Sequence, residues 1–337
     1  MIARPLATAF LVAHLLGSAQ AQERVVVGTM RDVANGALFL AAVRGYFKAE
    51  GLDLNLLAYT DSGQAVRELG AGATDFAVVA FSADAFKLAG SGAIKAIAAQ
   101  VREERSYEGN QVVVSTSAYS RGLVKLEELA GRSIAITAVG SPFHYQLARI
   151  AAANHFDLDH VALKLQPSLD AIVELLAANK VDAAILPPQQ ARELLLAGQA
   201  RLLGWCADFD QTQLGAVFVS AKVLSARPGI ADKFLRAYRR AVADYWQAFL
   251  RHDSYGKRRS DKNSQAAAAE IARYVFPGQA AASAGPKVED AVYFMDAQAR
   301  LDLADIERQV AWYKSVGLLD RSVEAGSIVQ QGPPPGR

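Results

Sequence analysis

One unit of sequence occurs twice in this chain. The first copy runs from Ser62 to Val79 (SGQAVRELGAGATDFAVV) and the second from Ser168 to Leu186 (SLDAIVELLAANKVDAAIL). Each copy opens with a Ser suited to capping a helix, continues with an amphipathic segment containing Glu-Leu, and ends with an Asp before a short apolar run typical of a buried strand. This repeated helix–strand unit predicts two similar α/β substructures.

The elements around the two copies also follow one order, which argues against a chance match between Ala-rich helices. Strand patterns alternate with helix patterns in both halves of the chain. The strands are predicted at 24–28, 52–58, 75–80, 93–100, 133–137, 161–165, 182–186 and 200–205, and the helices at 35–50, 62–70, 82–89, 141–154, 168–178 and 188–197. This order predicts an α/β fold with two lobes, each a mostly parallel sheet flanked by helices.

Two similar apolar runs bracket the second copy, at 111–115 (QVVVS) and 215–220 (GAVFVS), and predict strands that cross between the lobes. After Ser220 the pattern is mainly helical, and these helices are expected to cover the first lobe. Lobe 1 is therefore assigned to 22–110 and 221–330, and lobe 2, with the crossover strands, to 111–220. The Gly- and Pro-rich tail at 331–337 is expected to be flexible.

The first 21 residues have the pattern of a secretory signal peptide. An Arg precedes a short apolar stretch, and Ala19-Gln20-Ala21 forms a small-x-small cleavage site. The alternative, a membrane anchor, needs about 20 unbroken apolar residues, and His14 interrupts this stretch. No Cys lies near the cleavage site to carry a lipid. We therefore expect a soluble exported protein whose mature chain begins near Gln22.

Charge and cysteine content exclude other classes of protein. The formal net charge is +2 and charged residues make up 21% of the chain, without the long basic run that binding to nucleic acid would need. Cys206 is the only cysteine, so no intramolecular disulfide can form. No metal-ligand spacing or nucleotide-binding motif occurs, so no cofactor is predicted.

The candidate site follows from the fold class. In open α/β sheets, ligands bind beyond the carboxyl ends of the strands, and two facing lobes turn this rule into a cleft. The loops concerned place Ser or Gly at helix N-termini, whose free N–H groups can hold an oxyanion. The loop 137–144 (TAVGSPFH) is the strongest candidate because Gly140 allows close approach and Pro142 suits the first helical position. The predicted ligand-binding residues are Arg31, Ser62, Gly63, Phe81, Ser82, Gly140, Ser141, Phe143, His144, Pro187 and Gln189.

These residues favour a small organic anion of the sulfonate or carboxylate type. Arg31 directly follows the first strand, and a guanidinium can hold such a group through two hydrogen bonds. Pairing of Arg31 with Asp32 on a solvated loop is the alternative interpretation. A neutral or zwitterionic heteroaromatic ligand also remains open, with Phe81, Phe143 and Trp205 as stacking partners.

Signals of catalysis are weak. No HExxH, GxSxG or paired Cys–His arrangement occurs. Cys206 is the candidate nucleophile, since it follows a predicted strand near Asp208. A small buried apolar role is the favoured interpretation, because a nucleophilic thiol needs an identifiable activating partner. We therefore predict a binding protein without catalytic residues.

The segment Ala41–Leu54 (AAVRGYFKAEGLDL) carries a family resemblance, together with the two repeated units and the segment Ile306–Leu319. With these motifs the chain resembles the periplasmic substrate-binding proteins of ABC importers, in the family that includes nitrate-, taurine-, aliphatic-sulfonate- and thiamine-precursor-binding proteins. The resemblance implies a type 2 periplasmic-binding-protein fold, a monomer that closes on a small-molecule ligand by hinge motion, and docking on the membrane subunits of an ABC permease.

Two other functions remain open on the same fold. One is an enzyme, because the family resembles a pyrimidine-precursor synthase and a sulfinate-cleaving hydrolase. The synthase resembles a cytosolic, Cys-rich protein, which the signal peptide and the single cysteine disfavour. The hydrolase depends on a Cys nucleophile, so it requires Cys206 to face the ligand. The other function is a ligand-sensing subunit that hands its closed form to a membrane receptor.

Overall fold

The computed structural model describes residues 22–254 and 256–330. The predicted signal peptide, at 1–21, and the predicted flexible tail, at 331–337, lie outside these residues. Within the described ranges the chain forms two five-stranded sheets, each flanked by helices. The strands are β1 (Glu23–Met30), β2 (Leu52–Tyr59), β3 (Phe76–Ala80), β4 (Ile94–Ala99), β5 (Gln111–Ser115), β6 (Ser133–Ile136), β7 (Ala162–Leu165), β8 (Ala183–Leu186), β9 (Ala200–Trp205) and β10 (Gly215–Ser220).

The helices pack on both faces of these sheets and contribute a C-terminal helical part. Short 3₁₀ turns occur at 33–35, 126–129, 158–160 and 206–208. The helices are α1 (Gly36–Val43), α2 (Tyr46–Ala49), α3 (Ser62–Gly70), α4 (Ala83–Gly90), α5 (Thr116–Ser120), α6 (Pro142–Ala153), α7 (Leu169–Ala177), α8 (Pro188–Leu196), α9 (Ala221–Ala226), α10 (Pro228–Phe249), α11 (Lys262–Val275), α12 (Ala281–Glu289), α13 (Leu303–Ser315) and α14 (Ala325–Ile328).

The two sheets have the same internal order. The first runs β2-β1-β3-β10-β4 and the second β7-β6-β8-β5-β9. In each sheet three strands pair in parallel, and the fourth position is held by one antiparallel strand, β10 or β5. The repeated units become α3–β3 and α7–β8, which occupy equivalent places in the two sheets. The predicted two-lobed α/β architecture is confirmed.

The antiparallel strand of each sheet is one of the predicted crossover strands. Strand β5 lies in the second sheet, but β10, which we assigned to lobe 2, is hydrogen-bonded between β3 and β4 of the first sheet. The segments 101–110 and 206–214 therefore join the two sheets. They run side by side, because Glu103 N–H donates to Thr212 C=O (2.8 Å) and Leu214 N–H donates to Val101 C=O (3.0 Å).

Some predicted helix limits are wrong. The single helix expected at 35–50 is divided into a 3₁₀ turn, α1 and α2, because Gly45 has a φ of +71° and breaks the helix after α1. Helices α5, α9, α12 and α14 were not predicted. Helix α12 contains Gly285 and Pro286, which are typical helix breakers, yet its Ala284 and Val288 are completely buried against the first lobe.

Alternation along the central strands places apolar side chains on both faces of the first sheet. Phe76 and Val78 of β3 pack towards α10 and α11, while Ala77 and Val79 pack towards α3, α4 and α13. Phe76 stacks on Phe234 of α10 with ring centroids 4.2 Å apart. Full burial of such a ring contributes about 1.5–3 kcal/mol. These cores hold the strand ends, and therefore the loops beyond them, in fixed positions.

Candidate functional site

A cavity of about 340 Å³ lies between the two sheets. Its walls are loops that follow β1, β2 and β3 of the first sheet and β6, β7 and β8 of the second. Because parallel strands end at one edge of a sheet, these loops are brought together in each lobe. The cavity is lined by residues 30, 32, 34, 35, 60–63, 67, 79, 80, 82–84, 100, 101, 110, 137–143, 166, 167, 169, 187, 214 and 293.

The helices that begin at the cavity wall include α3, α4 and α6, each capped by a side chain. Ser82 Oγ accepts from Ala85 N–H (3.3 Å) at α4, and Ser141 Oγ accepts from His144 N–H (3.3 Å) at α6. Helix α3 differs from the expectation, because its cap is Asp61 and not Ser62. The first helical turns therefore meet the cavity from both lobes, as the site hypothesis requires.

Seven of the predicted ligand-binding residues line the cavity. They are Ser62, Gly63, Ser82, Gly140, Ser141, Phe143 and Pro187. The strand-end rule found them because it depends only on where a strand stops and a helix starts, and both features are readable from the sequence.

Four predicted residues do not line the cavity. Arg31 is exposed, and its neighbour Asp32 takes the place in the wall. Phe81 is 1% exposed and belongs to the core, where it stacks on Phe86 with centroids 5.1 Å apart. His144 is buried against Trp312, at 5.1 Å between centroids, and burial lowers the pKa of its imidazole. Gln189 lies partly buried in the first turn of α8.

Several polar residues of the wall were missed by the sequence prediction. Gln100 Nε2 donates to Asn35 Oδ1 (2.8 Å), and Asn35 Nδ2 donates to Asp32 Oδ1 (3.3 Å). Tyr293 donates its hydroxyl proton to Asn110 Oδ1 (2.6 Å). Gln100 and Asn110 lie at the two ends of a connection between the sheets, and that position could have indicated them. Tyr293 comes from the C-terminal part, where no motif pointed to the cleft.

The charged side chains of the wall are mostly acidic. Asp32, Asp61 and Asp84 line the cavity, and Arg67 is the only Lys or Arg among the described lining residues. Arg67 forms an ion pair with Asp84. Burial raises the pKa of Asp32 to about 7, although hydrogen bonds from Asn35 and Ala34 act in the opposite direction. The expectation of an anion rested on Arg31 and on the Ser- and Gly-capped helix N-termini; these N-termini lie in the wall, whereas Arg31 does not.

The candidate nucleophile lies away from the cavity. Cys206 is 3% exposed, packs in the core of the second lobe and is not among the lining residues. Burial raises the pKa of its thiol well above the ordinary value, and Glu103 and Asp208 add to this effect. Trp205, considered as a stacking partner, is also not among the lining residues. The described part of the cavity therefore holds no thiol.

The two lobes touch each other beside the cavity. Ala83 N–H, at the start of α4, donates to Gly140 C=O (2.9 Å) in the loop before α6. Tyr313 of α13 donates its hydroxyl proton to the same carbonyl (3.2 Å). These contacts lie at the cavity wall and join the N-termini of two helices from different lobes.

A buried carboxyl lies where the connecting segments meet the second lobe. Glu103 is completely buried, and its Oε1 accepts from Gln146 Nε2 (2.8 Å) and from Asn110 N–H (3.0 Å). Its Oε2 has no hydrogen-bond partner in the described ranges. Burial raises the pKa of Glu103 to about 8. Burial therefore favours the protonated form of this acid in the connection between the lobes.

The fold is shared with solved binding proteins. The alkanesulfonate-binding protein SsuA from Xanthomonas axonopodis pv. citri, bound to MOPS, is 17% identical, with 93% of this chain and 100% of that chain covered and a TM-score of 0.71. The periplasmic aliphatic sulphonate binding protein SsuA from Escherichia coli is 13% identical, with 92% and 93% covered and a TM-score of 0.69. The desulfurization enzyme DSZB is 17% identical, with 91% and 96% covered and a TM-score of 0.63. At these identities the likeness shows the fold alone.

A protein-family model matches the sequence of this chain. Residues 34–248 match the family described as NMT1/THI5 like, which is more than half of the 337 residues. A comparison with curated proteins gives no match. Within the described residues no helix has the length and apolar character needed to cross a membrane. The matched range includes both repeated units and most of the cavity wall, so the chain belongs to the NMT1/THI5-like family.

Proposed function

We propose that this protein is the solute-binding component of an ABC importer. It captures a small molecule in the cavity between its lobes and delivers it to the membrane subunits of the permease. The proposal rests on the cavity itself, whose wall is built from strand-end loops of both lobes, with further polar groups from Gln100, Asn110 and Tyr293. Closure of two lobes around a ligand gives the permease a surface that differs between the loaded and the empty protein.

The volume and lining of the cavity fit this function. About 340 Å³ accommodates a small metabolite. The wall combines apolar groups, such as Phe143 and Leu214, with hydrogen-bonding groups on Asn35, Gln100 and Tyr293. Signal-peptide removal near Ala21 would place the mature chain in the periplasm, where it would act as a monomer.

An enzyme on the same fold receives less support. A sulfinate-cleaving hydrolase of the kind considered from the sequence requires a thiol that faces its substrate. Cys206 is buried in the second lobe and does not line the cavity. No other Cys is present in the chain. A ligand-sensing subunit would use the same cavity and the same closure, and it differs from an importer component only in the membrane partner.

A thermal-shift screen of the chain from Gln22 tests ligand capture. The panel contains small sulfonates, carboxylates, amines, amino acids and aminopyrimidines. A ligand that binds only the folded state at about 100 times its Kd adds roughly 2.7 kcal/mol of stability, so we expect a clear rise in Tm for one chemical class. Mass spectrometry of the recovered ligand should find it unchanged; a ligand consumed during incubation would contradict the proposal.

A variant that fills the cavity tests whether the ligand-induced rise in Tm comes from binding at this site. Ala138 is exposed and lines the cavity, so Ala138→Trp should remove most of the ligand-induced rise in Tm. Ala73 is also exposed but does not line the cavity, so Ala73→Trp serves as the matched control and should keep the full rise. Equal ligand-induced shifts in the two variants would place binding elsewhere on the protein.

A further inference from the structure

The acidic wall of the cavity limits the chemistry of the ligand. We propose that the ligand carries a protonated nitrogen, as an ammonium or amidinium group, and that Asp32 is the residue that pairs with it. This inference rests on the proposed function, because it concerns the ligand of the same cavity. It differs from the purely anionic ligand that Arg31 and the capped helix N-termini led us to expect.

Asp32 is a wall carboxyl without a cation of its own. Its hydrogen-bond partners are Asn35 and the backbone N–H of Ala34, and no ion pair of Asp32 occurs within the described ranges. A carboxylate removed from water is stabilised by an opposite charge, and without one it tends to take up a proton instead. A protonated amine in the cavity would supply that charge, so its binding and the ionisation of Asp32 support each other.

Two of the positive helix ends at the cavity, those of α3 and α4, already carry carboxylates of the protein. Asp61 caps α3, with its Oδ1 accepting from Gln64 N–H (2.9 Å). Asp84 lies in the first turn of α4 and is paired with Arg67. Carboxylates at these positions take up the favourable field of the helix N-termini that would otherwise attract an anionic ligand. An anion in the cavity would also be repelled by the ionised forms of Asp32 and Asp61, which both line it.

Helix ends without a carboxylate in the first turn remain suitable for a negative or polar group, at α6 and at α8, whose N-cap Pro187 lines the cavity. The first turn of α6 has no acidic residue, and Ser141 and Gly140 lie at its start. A ligand with an ammonium group at Asp32 and an acidic or polar group at α6 would match both walls. The proposal therefore includes zwitterions, and it excludes anions that lack a cationic nitrogen.

Matched pairs of ligands give a direct test. Isothermal titration calorimetry compares 2-aminoethanesulfonate with ethanesulfonate, β-alanine with propionate, and benzamidine with benzoate. We expect binding by an amine or amidine member and at least tenfold weaker binding by its partner without nitrogen. Asp32→Asn should weaken the nitrogen-bearing ligand by at least tenfold. Asp53→Asn, at an exposed position on β2 outside the cavity, is the matched control and should bind like the wild type.

The pH dependence of affinity is a second readout that does not require a variant. Ligand binding should favour the ionised form of Asp32, whose pKa is about 7 in the free protein. Affinity is therefore expected to rise about 100-fold between pH 5 and pH 8, because the free site must lose a proton to bind. The other titratable or charged groups facing the cavity are Asp61, the Arg67–Asp84 pair and Tyr293, and Asp32→Asn should abolish most of this rise.

The outcomes separate this inference from the proposed function. Nitrogen-dependent binding that is lost in Asp32→Asn supports both. Binding of the nitrogen-free anions with equal affinity to wild type and Asp32→Asn would overturn the inference and leave the solute-binding function standing. An absence of binding by every member of the panel, with a normal circular dichroism spectrum, would count against both.

Discussion

At the scale of single residues, the surroundings of Cys206 bear on whether its thiol can act as a catalytic nucleophile. The thiol lies in the core of the second lobe, and Cys206 N–H donates to Asn110 C=O (2.9 Å). Burial raises the thiol pKa, so the thiolate needed for nucleophilic attack is scarce at pH 7. The side chain contributes packing, as a small apolar group would.

We predict that Cys206→Ala and Cys206→Ser keep ligand binding while the serine variant loses more stability. A buried hydroxyl without a partner costs roughly 1–3 kcal/mol, whereas alanine leaves only a small cavity. Thermal unfolding and calorimetric titration of the two variants check this expectation. Loss of any measured conversion of a sulfinate in both variants, with binding retained, would show that the thiol is catalytic.

The neighbours Arg31 and Asp32 show that the sequence could not predict which residue of a loop lines the cavity. Both follow β1, and the sequence analysis placed Arg31 at the cleft. The choice depends on the turn at 33–35, for which Asp32 is the N-cap residue with φ −134° and ψ 164°. That turn places Asp32 in the wall and leaves Arg31 exposed. Because both residues suit a loop equally well, their propensities could not decide the charge of the site.

At the scale of elements, the loop between β6 and α6 contains a residue in the left-handed backbone conformation. Gly140 has a φ of +82°, and a Cβ at this position would lie 2.8 Å from Ala83 Cβ of the other lobe. The close approach allows the hydrogen bond from Ala83 N–H to Gly140 C=O. A glycine is therefore needed here both for its backbone conformation and for contact between the lobes.

We predict that Gly140→Ala weakens ligand binding beyond its effect on stability. The left-handed conformation costs an alanine about 1–2 kcal/mol, and the added Cβ also pushes against Ala83. Gly131 has a φ of +75° and no atom near its added Cβ, so Gly131→Ala carries the same backbone cost without the contact. Small-angle scattering should show a larger radius of gyration for Gly140→Ala only. The same radius and the same affinity in both variants would refute the role of this contact.

The positions of strands and helices along the sequence were easier to predict than the elements with which they pair or pack in the folded protein. Apolar runs located the central strands, such as β3, β8 and β10, because a strand buried on both faces has a continuous apolar pattern. Strand pairing depends on contacts between distant segments, so the place of β10 inside the first sheet was missed. Helix α12 was missed because tertiary packing overrides local helix propensity there, whereas the break after α1 comes from the left-handed φ of Gly45.

At the scale of the whole molecule, the lobes depend on two connecting segments and on the carboxyl buried between them. Glu103 lies in the first segment, Thr212 in the second, and Gln146 in α6 of the second lobe. A Cβ at Gly109 would lie within 2.0 Å of Glu103 Oε2, so the backbone packs directly on the acid. The neutral form suits this environment, because ionisation would leave a negative charge among uncharged amides and near Tyr293 and Cys206.

We predict that the stability of the protein falls as the pH rises, and that Glu103→Gln reduces this fall. In the folded state the pKa of Glu103 is about 8, whereas in the unfolded chain it is about 4.3. Between these values the folded state binds more protons, so the stabilisation is complete below the lower value and is lost as the pH rises through about 8. The slope is at most about 1.4 kcal/mol per pH unit.

Urea unfolding of wild type and Glu103→Gln at pH 5, 7 and 9 measures this effect. The glutamine keeps an oxygen for Gln146 and Asn110 but places an unpaired amide nitrogen at the Oε2 position, so at pH 5 it should be no more stable than wild type. At pH 9 it should be the more stable protein, because no charge is buried. Asp32 also has a raised pKa, so it too should lower the stability as the pH rises. Introducing Asp32→Asn into the wild type and into Glu103→Gln separates the contributions of the two carboxyls to this pH dependence. Parallel curves for wild type and Glu103→Gln would mean that Glu103 is ionised in the folded protein already at pH 5.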